Sequence, residues 1–161
     1  MLELASVGPE DILYDLGSGD GRIPILAAQE FGCRAVGVEN NYKRWHSSSE
    51  LVKRLGLEER VNILRGSFFE ADVRPATVVT LYLLTVTNGV LQFYLAGQLR
   101  PGARVVTVDY PVPGWRPEQE VPVKSENGIP YTLFLYRRHT PFSRARTSND
   151  SSSVNAAVPQ P

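Results

Sequence analysis

The chain alternates short runs of apolar, often β-branched residues with longer stretches in which apolar residues recur every three or four positions. The short runs predict strands, since strands buried on both faces of a parallel sheet are apolar throughout. The predicted strands cover residues 12–15, 34–38, 61–64, 77–83 and 104–109. The longer stretches predict helices over residues 22–30, 42–55 and 88–99. This alternation is typical of an α/β fold built on a parallel sheet.

The pattern changes after residue 109. Residues 120–124 and 131–137 are strand-like and flank Asn127-Gly128, which is a strong turn signal. Five parallel strands followed by an antiparallel hairpin predict a Rossmann-like seven-strand sheet, mostly parallel, with helices on both faces. Residues 141–161 are rich in Ser, Pro and small residues, and they carry too little apolar surface to offset the entropy of ordering. We therefore expect one domain over residues 1–140 and a disordered tail over residues 141–161.

Composition narrows the classes of partner. The 161 residues include 17 basic and 17 acidic side chains, so the net charge of zero gives no strong signal for nucleic acid. Cys33 is the single cysteine, which excludes an intramolecular disulfide and a cysteine-rich zinc site, and no metal site is predicted. No apolar run approaches the length of a membrane span, and no signal peptide is evident. We expect a cytoplasmic protein, and a monomer.

A glycine-rich loop follows the first strand and opens the first helix. Its candidate ligand-binding residues are Asp15, Gly17, Ser18, Gly19, Asp20 and Gly21. Doubly wound folds bind ligands at this edge of the sheet, and glycine lets the backbone approach them closely. The dinucleotide fingerprint fails because Arg22 holds its sixth position. The two aspartates would repel a pyrophosphate, but they suit the ammonium and sulfonium of S-adenosylmethionine (SAM). The alternative is an ordinary glycine turn in which Asp20 caps the helix.

Two further segments extend this candidate cofactor site. Glu39 ends the second strand, where a carboxylate can accept hydrogen bonds from both ribose hydroxyls, and Asn40 follows it. Ser67 and Phe68 follow the third strand, where a small polar group and an aromatic ring can bind an adenine. The alternatives are an exposed carboxylate at Glu39 and a core position for the phenylalanine.

Together these motifs resemble the seven-strand SAM-dependent methyltransferases. The runs Asp-Leu-Gly-Ser-Gly-Asp-Gly-Arg-Ile, Gly-Ser-Phe-Phe-Glu-Ala-Asp and Ala-Thr-Val-Val-Thr-Leu-Tyr-Leu-Leu-Thr, and later Leu-Arg-Pro-Gly-Ala-Arg-Val-Val, are similar to the archaeal broad-specificity protein-lysine methyltransferases. Those enzymes are related to the mitochondrial enzymes that methylate lysine on ATP-synthase subunit c. The resemblance covers residues 1–138. It implies SAM as the cofactor, protein substrates and methyl transfer to lysine ε-amines.

The acceptor side is expected at the ends of the fourth and fifth strands. Backbone carbonyls over residues 80–85 and the Tyr82 hydroxyl can hold an amine, and Leu83 is a candidate cofactor contact. By resemblance, Asp109, Tyr110 and Trp115 lie on the lysine-channel side, as a carboxylate with aromatic walls. The alternatives are sheet core for Tyr82 and Leu83, and a loop residue packed on the hairpin for Trp115.

Two alternatives to a protein-lysine methyltransferase stay open. The first is a methyltransferase for a small molecule or for RNA, although no Asn-Pro-Pro-Tyr motif follows the fourth strand. The second is a SAM-binding module without turnover. In the family, a leading segment folds over the cofactor. This sequence is expected to begin, at residues 1–5, inside the helix that follows that segment, which suggests binding without turnover.

Overall fold

The computed structural model describes residues 1–138, so the predicted tail lies outside the described residues. The strands are β1 (Ile12–Leu16), β2 (Arg34–Glu39), β3 (Val61–Arg65), β4 (Val78–Leu81), β5 (Arg104–Val108), β6 (Gln119–Lys124) and β7 (Pro130–Arg137). The helices are α1 (Arg22–Phe31), α2 (Tyr42–Arg54) and α3 (Thr85–Gln98). All seven predicted strands and the helices predicted over residues 22–30, 42–55 and 88–99 are present, and most bounds agree within one residue.

All seven strands form one sheet in the order β3-β2-β1-β4-β5-β7-β6. The first five strands are parallel, and β7 runs antiparallel to both β5 and β6. The strand order reverses between β1 and β4, and the loops after these strands open a crevice at their carboxyl ends. The glycine loop leaves β1 at this crevice. The predicted seven-strand, mostly parallel sheet with a terminal hairpin is therefore confirmed.

A hydrophobic core lies on each face of the sheet. On one face, α1, α2 and the first seven residues cover Leu13, Ala35 and Val78. On the other face, α3 packs Leu91, Leu95 and the adjoining Leu99 against a second group of strand residues. These leucines recur at every fourth position, which is the spacing that places them on one helix face. Helices therefore cover both faces of the sheet, as predicted.

Two boundaries differ from the sequence-based prediction by more than one residue, and both adjoin the site. The fourth strand ends at Leu81, two residues early, because its partner β1 ends at Leu16, which pairs with Leu81. Helix α3 begins at Thr85, three residues before the predicted start, and no side chain caps it. Residues 82–84 therefore form a short loop at the edge of the sheet.

The first residues form one closed turn and no α-helix, which corrects the prediction that residues 1–5 lie in a helix. The N–H of Ala5 bonds the carbonyl of Met1 at 3.0 Å, and the N–H of Val7 bonds the carbonyl of Leu2 at 3.1 Å. Ser6 adopts a left-handed conformation with φ of 50°. That conformation ends a helical turn and reverses the chain.

Candidate functional site

The glycine loop lines a cavity of about 460 Å³ at the carboxyl end of β1. Five of the predicted cofactor residues line it, namely Asp15, Gly17, Ser18, Gly19 and Asp20, and so does Tyr82, which is predicted for the acceptor side. The φ angles of Gly17 and Gly19 are 87° and 56°, a region that side chains disfavour. Gly21 does not line the cavity: it is buried and forms the N-cap of α1, with φ of 79°. The glycines therefore shape the loop and expose its backbone.

Asp15 lies buried beneath the loop. Its Oδ1 accepts a hydrogen bond of 2.8 Å from the hydroxyl of Thr80 on the neighbouring strand. Burial raises the pKa of Asp15 to about 7; the charges of Asp20 and Glu39 add to this effect, and the Thr80 hydrogen bond opposes it. A carboxyl group with a pKa near 7 is only partly ionised at neutral pH, and a cation beside it favours the ionised form. Asp15 is thus suited to a positively charged ligand.

The side chain of Glu39 links the glycine loop to the end of β2 by a hydrogen bond. It is buried; its Oε2 accepts the N–H of Gly19 at 2.9 Å and its Oε1 accepts the N–H of Asn41 at 2.7 Å. A carboxylate oxygen has two acceptor positions, so each oxygen keeps one for a ligand hydroxyl. The structure therefore excludes the alternative of an exposed carboxylate. It adds a role in loop geometry that the sequence pattern did not indicate.

Ser18 and Gly37 pack together beneath the loop. A Cβ on Gly37 would lie 2.7 Å from the Ser18 Oγ and 2.8 Å from the Ile63 Cδ1, distances that real Cβ atoms do not show. The Ser18 Oγ is buried and has no hydrogen-bond partner within residues 1–138. Gly37 is a site residue that the sequence analysis missed, although a glycine inside a buried strand is a signal of close approach.

Asp20 pairs with Arg22 and does not cap α1. Its carboxylate accepts two bonds of 2.9 and 3.0 Å from the Arg22 Nε, and the backbone N–H of Arg22 donates to it at 3.1 Å. This pairing lowers the pKa of Asp20, and both side chains are exposed. Arg22 and Arg44 also line the cavity, together with Met1 and Ile23, and the sequence analysis named none of the four as site residues.

The remaining predicted cofactor residues, Glu39 among them, do not line the cavity. Asn40 is exposed beside Asn41, the N-cap of α2. The N–H of Gly66 bonds the carbonyl of Glu39 at 3.1 Å, which places the β3 loop next to the end of β2. In that loop Ser67 accepts the N–H of Phe69 at 3.3 Å, and Phe68 is half-buried against the second core. Their adenine-binding roles stay predictions.

Tyr82, Asp109 and Tyr110 come together as predicted. The rings of Tyr82 and Tyr110 lie 6.4 Å apart between centroids, and the Tyr82 side chain is 60% exposed. Desolvation raises the pKa of Tyr82, as do the neighbouring Asp109 and Tyr131. The Tyr82 hydroxyl therefore stays protonated at neutral pH. Tyr131, at the start of β7, is a neighbour that the sequence analysis did not place here.

Asp109 occupies a tight turn directly after β5. Its φ is 57°, a left-handed value that aspartate tolerates better than most residues. The N–H of Tyr110 reaches back to the carbonyl of Val108 at 2.6 Å, and Asp109 Oδ1 accepts the N–H of Thr132 at 2.8 Å. The exposed carboxylate is thus fixed at the sheet edge by β7.

Trp115 lies at a different cavity. Its ring packs edge-on against Tyr136, with 5.9 Å between centroids, and it lines a cavity of about 550 Å³ with Glu118 and Arg137. The hydroxyl of Tyr136 accepts the N–H of Val112 at 3.0 Å, which holds the same loop. This packing favours the alternative of a loop residue on the hairpin, and a place for Trp115 in the lysine channel stays a prediction.

Comparison with protein families matches residues 15–119 to the ANTKMT methyltransferase domain. The chain belongs to the ANTKMT methyltransferase family. Its matched segment begins at Asp15, includes the glycine loop and Glu39, and ends in β6. The family match confirms the predicted methyltransferase relationship. Within residues 1–138, no cluster of three His, Cys, Asp or Glu side chains is arranged to hold a metal. No helix in that range has the length and hydropathy to cross a membrane.

Curated relatives of this ANTKMT-family chain carry lysine methyltransferase names. A protein-lysine N-methyltransferase of Saccharolobus islandicus is 44% identical over 137 residues, which cover 84% of each chain. The mouse adenine nucleotide translocase lysine N-methyltransferase is 35% identical over 65% of this chain and 46% of its own length. The chain therefore matches most of the archaeal protein and less than half of the mouse protein.

Solved structures support the same fold. An RNA methyltransferase from Salinibacter ruber, crystallised with S-adenosyl-L-homocysteine, superposes with a TM-score of 0.81 and 40% identity. The match covers 89% of this chain and 91% of that one. The Bacillus subtilis tRNA methyltransferase TrmK superposes with a TM-score of 0.71 at 15% identity, over 86% of this chain and 65% of its own, and shows the fold alone.

Proposed function

We propose that this chain transfers methyl groups from SAM to the ε-amines of lysine residues in proteins. The observation that carries the proposal is the 44% identity with the archaeal protein-lysine N-methyltransferase, across 84% of both chains. The geometry of the site agrees with this activity on both the cofactor side and the acceptor side.

The residues of the cavity fit SAM. The loop offers backbone groups and carboxylates, and the buried Ser18 Oγ lacks a partner within residues 1–138. Asp15 would lie by the methionyl ammonium, and Glu39 would accept the ribose hydroxyls on its free acceptor positions. SAM, when bound, supplies an electrophilic methyl group on a sulfonium. Its positive charges explain why this glycine loop is acidic where a pyrophosphate-binding loop would not be.

The acceptor side can receive and hold an amine. Asp109 is exposed and attracts the lysine ammonium, while Tyr82 and Tyr110 border its path. The lysine ammonium would lose its proton more readily beside the positive charge of SAM and away from water. The neutral Tyr82 hydroxyl and the carbonyls of residues 82–84 would then accept hydrogen bonds from the amine and orient its lone pair toward the cofactor side. Positioning of this kind supplies most of the acceleration in such a displacement.

The openness of the acceptor side favours a macromolecular substrate over a small molecule. Tyr82, Leu84, Val86, Val90 and Phe93 are between 56% and 81% exposed, and they continue from the acceptor side along α3. Helix α3 carries no charged residue, so these exposed apolar side chains lie on an uncharged surface. A small acceptor would be enclosed by its site, whereas a lysine on a protein surface needs an open approach.

RNA is the second candidate acceptor, because the Salinibacter relative at 40% identity is named an RNA methyltransferase. Incubation with methyl-labelled SAM and a cell lysate, followed by separation of protein, RNA and small molecules, distinguishes these acceptors. We expect the label in the protein fraction. Label confined to RNA or to small molecules would replace the lysine proposal, and binding of SAM without any label would indicate a module without turnover.

A further inference from the structure

Asn88 is a fully buried polar residue in the first turns of α3. Its Nδ2 donates one hydrogen bond to the carbonyl of Leu83 at 3.2 Å and another to the carbonyl of Tyr110 at 2.8 Å. Leu83 belongs to the loop after β4, and Tyr110 to the loop after β5. One side-chain amide therefore joins these two loops where they leave the sheet.

The joined loops carry both halves of the proposed site. The Leu83 Cδ2 lies 3.0 Å from the position that a Cβ on Gly17 would take, so this loop contacts the glycine loop. Tyr110 follows Asp109 directly, and its ring faces Tyr82 at 6.4 Å between centroids. A shift of either carbonyl would therefore change the separation between the cofactor side and the acceptor side.

The amide at this position carries a cost as well as two hydrogen bonds. The Asn88 Oδ1 is buried and has no hydrogen-bond partner within residues 1–138. A buried polar atom without a partner costs free energy, and an apolar side chain would not carry that cost. Asparagine is also a weaker helix former than leucine. The two hydrogen bonds to the loops are the feature that leucine cannot supply.

We propose that Asn88 is a positioning residue for methyl transfer, which sets the distance between the bound cofactor and the incoming lysine. The inference rests on the proposed function, because it assigns the two loops to those partners. A displacement of about 1 Å between reacting groups can lower a rate about a hundredfold. Loss of the amide should therefore lower kcat and leave the binding of SAM nearly unchanged.

The test compares Asn88→Leu and Asn88→Asp with the control Leu91→Ala. Leu91 is fully buried one turn further along α3, but it contacts neither loop through a hydrogen bond. We expect both Asn88 variants to lower kcat for a lysine-containing protein about 30- to 100-fold, with SAM affinity within about twofold. Asn88→Gln keeps the amide donors and should recover part of kcat. Leu91→Ala should lower Tm while the folded protein keeps its kcat.

Amide hydrogen exchange supplies a readout that does not need turnover. The N–H groups of Asp109 and Tyr110 bond the carbonyls of Thr132 and Val108. In Asn88→Leu these amides should exchange faster, while those of β1 stay protected. If the wild-type chain methylates no lysine but this local change occurs, the proposed function fails and the linking role of Asn88 stands. Unchanged exchange in the Asn88 variants, or a kcat within about twofold of wild type, would overturn the inference.

Discussion

The hydroxyl of Thr80 donates a hydrogen bond of 2.8 Å to the carboxylate of Asp15, across the paired strands β4 and β1. Thr80 is fully buried and Asp15 is 7% exposed, so the pair lies beneath the floor of the glycine-loop cavity. One hydrogen bond does not offset the loss of solvent, and the pKa of Asp15 stays near 7. We therefore expect both the stability of the fold and the binding of the cofactor to depend on pH near neutrality.

The first prediction is that SAM affinity rises with pH until Asp15 is ionised. The ammonium of SAM stabilises the carboxylate, so binding below a pH of about 7 must release a proton. The dissociation constant should fall by up to about tenfold per pH unit as the pH rises from about 5 to 7, and it should be constant above that range. Asp15→Asn keeps the shape and an acceptor for Thr80, so it should bind SAM more weakly and with little pH dependence. Calorimetric titration across this range measures both.

Stability should show the opposite trend in the free protein. The raised pKa of Asp15 means that the folded state binds the proton of this carboxyl group more tightly than the unfolded chain does. The proton therefore stabilises the folded state fully below about pH 4, and this contribution is lost as the pH rises through about 7. Asp15→Asn should remove this component from the Tm curve. Asp72→Asn is the control: the pKa of Asp72 is about 2, so it does not titrate in this window. A wild-type affinity for SAM that is flat between pH 5 and pH 8 would contradict the account of Asp15.

A second prediction concerns Glu39, whose two oxygens hold Gly19 and Asn41. Glu39→Gln should weaken SAM binding by about 1.5–3 kcal/mol, because a charged acceptor for the ribose is lost and the new amide faces an N–H donor. The matched control is Glu50→Gln on the exposed face of α2, which should leave SAM affinity unchanged. Equal affinities for the two variants would place the ribose elsewhere.

A third prediction compares two glycines. Gly37→Ala places a Cβ within 2.7–2.8 Å of Ser18 and Ile63, so it should displace the glycine loop and destabilise the fold by about 1–3 kcal/mol. Gly97→Ala, on α3, meets nothing within 4 Å and should be neutral or stabilising by up to about 1 kcal/mol. Chemical denaturation and SAM titration measure the two effects. The packing argument fails if Gly37→Ala matches Gly97→Ala in both.

Most of the fold could be predicted from the sequence, because buried parallel strands and amphipathic helices leave distinct apolar periods. The end of β4 could not, since Tyr82 and Leu83 continue an apolar run while the strand stops where its partner β1 ends at Leu16. The start of α3 was also missed, because Leu84 caps the helix without a polar side chain and gives no sequence signal.

The site was predictable to the extent that its residues are adjacent in sequence. The glycine loop and Glu39 follow strands that the pattern already placed, so their meeting at one edge followed from topology. Asn88 was not found, because within the sequence it is an ordinary helix residue and its partners Leu83 and Tyr110 are defined only by tertiary structure. Trp115 illustrates the same limit, since its contact with Tyr136 depends on how the hairpin folds back.

A fourth prediction concerns the charge of Asp109, which Asn can replace with little structural change. Asparagine tolerates the left-handed φ of 57° and can still accept the N–H of Thr132. Asp109→Asn should therefore lower lysine methylation about tenfold or more, mainly through KM for the protein, and leave SAM affinity unchanged. Steady-state kinetics with a fixed protein acceptor checks this. Unchanged KM would remove Asp109 from the path of the lysine.

The chemical identity of the methylated residue decides whether lysine is the acceptor. Proteins labelled by the wild-type chain with methyl-labelled SAM would be hydrolysed to amino acids and separated against methyl-lysine, methyl-arginine and methyl-histidine standards. The account predicts that the label migrates with Nε-methylated lysine and that Asp109→Asn reduces this signal. Label in any other amino acid, or in RNA with none in protein, would contradict it.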